Sequence, residues 1–160
     1  MNRISRRAPR LAGHSYGNPG AYFVTVCTEG RLPLLADPAS YGLTLTAAGK
    51  MVLDAWSQIT SHYAHIHLDE CIVMPDHFHG VIVLSDQLTG TSVSAVIGRW
   101  KSVTTVRYIG HVKSDTWPPF HDRLWQRSFH DRLIRDEDEL ARIRNYILEN
   151  PARQRARLSK

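Results

Sequence analysis

The chain has 160 residues, a mass of 18.2 kDa and a formal net charge of +5 at neutral pH. Its 42% hydrophobic and 22% charged residues are ordinary globular composition, which excludes a disordered chain, a collagen-like chain and a disulfide scaffold. One domain with tails is expected, because a chain of this length buries roughly 68–70% of its unfolded surface without staples.

The first predicted element is a strand over Ala21–Thr28, β-branched and aromatic, interrupted by Gly30 and Pro33. Thr46 can cap a helix running to about Tyr63, with Val52, Leu53, Trp56 and Ile59 at helical spacing. A second strand covers Ile66–Met74, Pro75-Asp76 breaks it, and a third covers His77–Leu84, so the short connection predicts a hairpin. Val93, Val96, Ile97, Trp100 and Val103 step by three and four, which predicts a helix over 91–110. After a loop with Trp117-Pro118-Pro119, a fourth strand lies within Leu124–Ile134, with Phe129, Leu133 and Ile134 as its apolar residues. Asp136 can cap a last helix whose first turn, Glu137-Asp138-Glu139, suits the helix dipole. Leu140, Ile143 and Ile147 form its apolar stripe, and it is expected to end near Asn150-Pro151. The order β-α-β-β-α-β-α predicts an α+β, ferredoxin-like (split βαβ) antiparallel sheet with helices on one face plus a C-terminal helix.

Cys27 and Cys71 both fall in apolar runs, so two buried free thiols in a reducing compartment are expected. No apolar run approaches the about 20 residues that span a bilayer. The basic stretch MNRISRRAPR has no apolar segment after it, so no secretory signal is read and a cytoplasmic location is expected. Charge is segregated along the chain. Residues 1–14 carry Arg3, Arg6, Arg7 and Arg10 and no acid, and residues 151–160 carry four bases and no acid. Residues 15–98 hold two bases against seven acids, whereas 99–135 hold eight bases against three acids. Two basic tails and a basic internal segment point to a polyanion, most simply nucleic acid, against the blander reading of solubilising tails.

Two His-x-His pairs stand out, His65-Ile66-His67 and His77-Phe78-His79. On a strand such a pair faces one side, with its backbone positions about 6.5–7 Å apart, close enough for two imidazoles to converge on one cation. The second pair opens a strand straight after Met74-Pro75-Asp76, and Gly80 beyond it leaves room for something to approach the sheet. His77 and His79 are therefore the candidates. Two histidines do not complete a zinc sphere and no Cys-x-x-Cys is present, so a hard cation such as Mg²⁺ or Mn²⁺, completed by water and phosphate oxygens, fits better. Asp76, one residue from His77, would face away on a strand and is not assigned as a ligand.

On the second helix Lys101, Thr104 and Tyr108 share a face, with Arg107 beside it. Tyr108 reads either as a half-buried tyrosine with its hydroxyl in water or as a nucleophile helped by its basic neighbours. Tyr22 lies in the first strand, and Tyr146 is read as a packing residue from its spacing to Ile143 and Ile147.

Val73-Met-Pro-Asp-His-Phe-His79, the basic helix with Lys101-Ser102 and Tyr108, Trp125-Gln-Arg-Ser-Phe-His-Asp131 and Tyr146-Ile-Leu-Glu-Asn-Pro151 occur in one order. Over about residues 20–151 the chain resembles the REP-associated tyrosine transposases, a branch of the single-tyrosine HUH transposase-like proteins. The resemblance implies a basic N-terminal arm over 1–19, a catalytic domain over 20–151 and a basic tail over 152–160. It implies that His77 and His79 bind a divalent metal, Mg²⁺ or Mn²⁺. It also implies that Tyr108 attacks a phosphodiester of single-stranded DNA, leaving a 5′-phosphotyrosine link and a free 3′-hydroxyl. The substrates it implies are hairpins of repetitive extragenic palindromes. Relatives often place a polar third ligand one turn beyond the tyrosine. Val112 stands there after Tyr108, so the role passes to His111, unless the helix has ended at Gly110 and turned His111 elsewhere.

Under this reading the nucleic-acid contacts fall to Lys101, Arg107, Arg123, Arg127, Arg7 and Arg10, with Arg99, Arg132 and Arg135 as further backbone contacts. A homodimer stands as an option. The alternative class is a non-catalytic, single-stranded nucleic-acid-binding ferredoxin-like module that stacks bases on Phe23 and Phe78. A metal hydrolase with a water nucleophile is a further alternative.

Overall fold

The structure, a computed structural model, describes residues 18–40, 44–85 and 90–158. The expected arm with Arg7 and Arg10 lies outside the described residues. Four strands form one antiparallel sheet in the order β2-β3-β1-β4: β1 (Gly20–Cys27), β2 (Ile66–Met74), β3 (His77–Leu84) and β4 (His130–Ile134). The helices are α1 (Ala47–Ser57), the short α2 (Ile59–His62), α3 (Val93–Lys113) and α4 (Glu137–Leu158). This is the predicted ferredoxin-like sheet with an added C-terminal helix.

Side-chain alternation splits the sheet into two faces. Tyr22, Val24 and Val26 of β1 and Phe78 and Ile82 of β3 point to the larger core, with Val52 and Trp56 of α1 and Val96, Ile97 and Trp100 of α3. Phe23 of β1 and Val81 of β3 point to the other side, where Ile143 and Ile147 of α4 complete a smaller core with Ile134. So α1 and α3 cover one face and α4 covers the opposite one.

Local chemistry sets the boundaries. Thr46 caps α1 by accepting from Gly49 N–H at 3.0 Å, as its position predicts. The expected single helix to Tyr63 is divided at Gln58 into α1 and α2. Gly110 does not end α3; the left-handed residue past the helix is Asp115, at φ 55°. Residues 124–129 lie outside β4 and join the sheet end only through the Thr28–Trp125 bridge. α4 runs through Pro151 instead of stopping before it. The space at Gly80 is filled from the core side: a Cβ there would lie 2.7 Å from the Trp56 indole and 2.8 Å from the Phe78 ring. That glycine admits Trp56, not a ligand.

Candidate active site

The site is built on the β2–β3 turn. Thr28, fully buried, donates both its N–H and its hydroxyl to the carbonyl of Asp76, each at 3.0 Å, and Leu35 N–H donates to the carbonyl of Pro75 at 2.9 Å. The turn is thereby fixed to the end of β1, and β3 leaves it with His77 and His79 on the α4 face. Across the ladder Thr25 stands opposite His79 and Cys27 opposite His77. Thr25 Oγ1 lies 2.8 Å from His79 Nδ1. His77 Nδ1–H donates to Asp76 Oδ1 at 2.6 Å, and Arg31 donates from Nε to Asp76 Oδ2 at 2.8 Å and from Nη1 to Cys27 Sγ at 2.7 Å. The two imidazole centres are 4.7 Å apart. With Nδ1 of each ring engaged, Nε2 of each is left for a ligand, the arrangement by which an outer partner fixes the tautomer of a metal-binding histidine. Asp76 reaches His77 because it sits in the turn, where strand alternation does not apply.

His79 is 6% exposed and stacked on Phe23, with ring centres 5.3 Å apart. Burial above all, then the charges of His77 and Arg31, push its pKa down to about 3, so the ring stays neutral and keeps a lone pair for a cation. Burial acts to raise the Asp76 carboxyl, but the hydrogen bond from His77 and the charges of His77 and Arg31 outweigh it and hold that group below its ordinary range.

The histidines open on a cavity of about 370 Å³ whose far wall is α4, lined by Tyr146, Asn150, Arg153 and Gln154. These positions follow one helical stripe. The Tyr146 ring centre is 5.5 Å from that of His79, and the Arg153 guanidinium lies 5.6 Å from the centre of the Tyr146 ring. Asn150 is buried, and Gln154 Oε1 is buried without a hydrogen-bond partner. Among the described residues no group of three or more His, Cys, Asp or Glu side chains is placed to hold a metal. Two imidazole nitrogens and amide carbonyls nonetheless form a donor set that fits Mg²⁺ or Mn²⁺ bound with water and phosphate oxygens, and does not fit a closed zinc site. The Gln154 oxygen, buried without a protein hydrogen-bond partner, is the local observation that fits a polar or cationic group in this pocket.

The structure does not bring Tyr108 to the histidines. α3 packs on the opposite face of the sheet, where Tyr108 is fully buried and donates its hydroxyl to the Pro118 carbonyl at 2.9 Å. Burial raises its pKa, the wrong direction for a nucleophile. The other residues of that face also make contacts within the protein. Thr104 Oγ1 accepts from Trp125 Nε1 at 2.9 Å, and Lys101 Nζ donates to the carbonyls of Gln126 at 2.6 Å and Arg127 at 3.1 Å. His111 stacks on Trp117 at 4.0 Å, also remote from the histidine pair. Arg107 is engaged with Gln58 and Asp54 on the α1 side, Arg123 pairs with Asp122, and Arg127 is exposed. Tyr146, read from sequence as packing, does pack edge-on against Phe23 at 6.1 Å, but it also lines the histidine cavity. Its signal was present as a stripe, since Tyr146, Asn150 and Arg153 are spaced to share the helix face that covers His79.

Similarity to known proteins follows the same outline. A solved structure of a REP-associated tyrosine transposase bound to a REP hairpin shares the fold, with a TM-score of 0.62 and 19% identity, over 91% of this chain and 74% of that one. An uncharacterized protein of Haemophilus influenzae is 25% identical over 168 residues, covering 91% of this chain and 88% of its own. Residues 45–150, running from before α1 into α4 and including the histidine hairpin and Tyr146, match the family described as "Transposase IS200 like". The chain belongs to the IS200-like transposase family.

Proposed function

We propose that the protein is a metal-dependent single-stranded DNA endonuclease and strand transferase that works through a covalent 5′-phosphotyrosine at Tyr146. The observation that carries this reading is the single cavity shared by His77, His79 and Tyr146. The candidate nucleophile thus moves from Tyr108 to Tyr146, and the third ligand from His111 to Asn150, one turn beyond Tyr146, with Gln154 beside it. His77 and His79 would hold the cation through Nε2. When bound, a divalent cation supplies Lewis-acid polarisation of a phosphate oxygen and offsets charge built up in the transition state.

Tyr146 Oη attacks phosphorus, the P–O3′ bond breaks, and the departing 3′-oxygen takes up a proton equivalent to the one the phenol gives to solvent. The phosphate ester stays on the tyrosine, so a 3′-hydroxyl can reverse the step without a nucleotide cofactor. Arg153, which lies beside the Tyr146 ring and pairs with Glu149, offers a guanidinium to phosphate charge. Arg31, half exposed at the cavity edge, and Arg127 offer further contacts to the DNA backbone. Single-stranded hairpin DNA is the proposed substrate, supported by the hairpin bound to the structural relative.

The test is adduct formation on labelled single-stranded hairpins taken from DNA flanking the gene, with Mn²⁺ or EDTA. A denaturant-resistant band that requires the metal is expected with the wild type. It should fall to background in Tyr146→Phe and persist in Tyr108→Phe. An adduct retained by Tyr146→Phe would rule out this nucleophile. Tight binding without an adduct would favour a non-catalytic binding module.

A further inference from the structure

Gln154 stands on α4 one turn beyond Asn150 and two turns beyond Tyr146, so the three share one stripe of the helix and line the histidine cavity together. It comes after Pro151, which removes a backbone donor and crowds the turn before it. α4 nevertheless continues as helix to Leu158, and that continuation brings Gln154 to the cavity. The side chain is half-buried as a whole, but its Oε1 is buried and accepts no hydrogen bond from the described residues. The two guanidiniums that line the same cavity are committed elsewhere. Arg31 donates from Nε to Asp76 at 2.8 Å and from Nη1 to Cys27, and Arg153 donates from Nη2 to Glu149 at 2.8 Å. His77 spends its Nδ1–H on Asp76, and Thr25 meets Nδ1 of His79. The histidine pair and Gln154 thus present lone pairs to one cavity, which a cation satisfies.

We propose that Gln154 Oε1 is a ligand of the divalent cation held by His77 and His79, beside the amide of Asn150. The proposal rests on the reading that the histidine pair binds a metal. Two imidazole nitrogens and two amide oxygens make four donors, all of them neutral. Asp76, the carboxylate that lines this cavity, has one oxygen on His77 Nδ1 and the other on Arg31, so it is engaged outside the ligand set. Hard cations take six or more donors, which leaves positions for water and a phosphate oxygen. A neutral amide at residue 154 supplies a ligand without neutralising the cation, and the charge is left for phosphate to balance. A carboxylate in the same place would raise the affinity of the free protein, because the count of charged ligands tunes binding at oxygen sites.

Mn²⁺ binding to the full chain, without DNA, tests this. Free Mn²⁺ is followed by electron paramagnetic resonance in titrations of the wild type, His77→Ala, Gln154→Leu and Gln154→Glu, each with its circular dichroism checked. The wild type should bind an ion that His77→Ala loses. Gln154→Leu, of similar size, should weaken that binding about tenfold, on the scale of groups that support metal sites. Gln154→Glu sets a charged oxygen at the same place and should strengthen it about tenfold. Opposite signs in the two variants are the mark of a ligand. A residue that only holds the end of α4 gives a loss in both, and that outcome overturns the proposal. Affinities equal to the wild type in both variants also overturn it, the Gln154 oxygen then being met by solvent. Mn²⁺ binding that is absent from the wild type, or survives His77→Ala, overturns the histidine site itself and this ligand with it. The nucleophile is decided separately. A metal-dependent adduct lost in Tyr146→Phe, with both Gln154 variants binding Mn²⁺ as the wild type does, removes Gln154 from the ligands and leaves cleavage at Tyr146 in place.

Discussion

The imidazole of His77 is oriented by a carboxylate that is itself held by Arg31. This chain of contacts decides which nitrogen of His77 faces the cavity. Outer partners of metal-binding histidines are worth roughly 10–100-fold in affinity. Asp76→Ala should therefore weaken Mn²⁺ binding by about that factor, measured by titration calorimetry, with the circular dichroism of the folded state preserved. An unchanged affinity would reduce Asp76 to a turn residue. At this scale the sequence was partly legible. The spacing of His77 and His79 implied a shared strand face, and the face exists. The proposed move of the nucleophile from Tyr108 to Tyr146 was not legible from their neighbours, because both lie on helices with basic residues nearby. What separates them is the sheet face each helix covers, and that depends on long-range packing. Asp76 was misread for a different reason: the rule of alternation was applied one residue into a turn.

The helix face that looked catalytic illustrates the next level of organisation. Lys101, Thr104 and Tyr108 do share a face of α3, as their spacing predicted, but each reaches a different point of the segment 118–127. These contacts hold the loop that leads into β4, replacing the sheet pairing that residues 124–129 lack. A lysine amine directed at two carbonyls is half-buried, and its pKa is lowered chiefly by that burial and then by Arg123, so in this structure it is engaged by the protein itself. The β2–β3 hairpin was read to its residue limits because Pro75-Asp76 interrupts a continuous apolar run. The end of α4 was misread because Pro151 is a strong stop signal in isolation. A proline inside a helix costs about 3 kcal/mol, yet the helix continues and carries Arg153 and Gln154 to the cavity. Packing between elements also explains Gly80. A methyl group there meets the Trp56 indole and the Phe78 ring below ordinary contact distance. Gly80→Ala should destabilise the fold by roughly 1–3 kcal/mol, the usual range for overpacking, seen as a lower urea midpoint with an unchanged slope. A midpoint equal to the wild type would mean that α1 can shift away from β3 freely.

Over the whole molecule, α4 is the element whose attachment matters most to the proposed chemistry. It brings Tyr146, Asn150 and Arg153 to histidines that the sheet alone positions. Its apolar contact is the smaller of the two cores, with Val81, Ile134, Ile143 and Ile147 as its buried members. Charged contacts add to it. Arg144 donates from Nε to Asp69 Oδ1 of β2 at 2.8 Å, and Glu139 near the start of α4 accepts from the backbone N–H of Arg135 at 2.9 Å. The hydrogen bond from Arg144 holds the Asp69 carboxyl below its ordinary value, and the backbone hydrogen bond from Arg135 does the same for Glu139. A carboxyl whose folded pKa is depressed binds protons more readily in the unfolded chain. Its contribution is therefore complete above the unfolded value of about 4 and is lost as pH falls through the lower folded value. The net charge of +5 at neutral pH also grows as carboxylates are protonated, so self-repulsion acts in the same direction. Stability should accordingly be flat in this respect from pH 7 to about 5 and should fall below about 4. The double variant Asp69→Asn, Glu139→Gln should lose stability at pH 7 and show a shallower decline in acid, read from urea midpoints across that range. Equal acid slopes in the two proteins would mean that α4 is held by its apolar stripe alone, and that the arginine–carboxylate contacts along it contribute nothing to its seating.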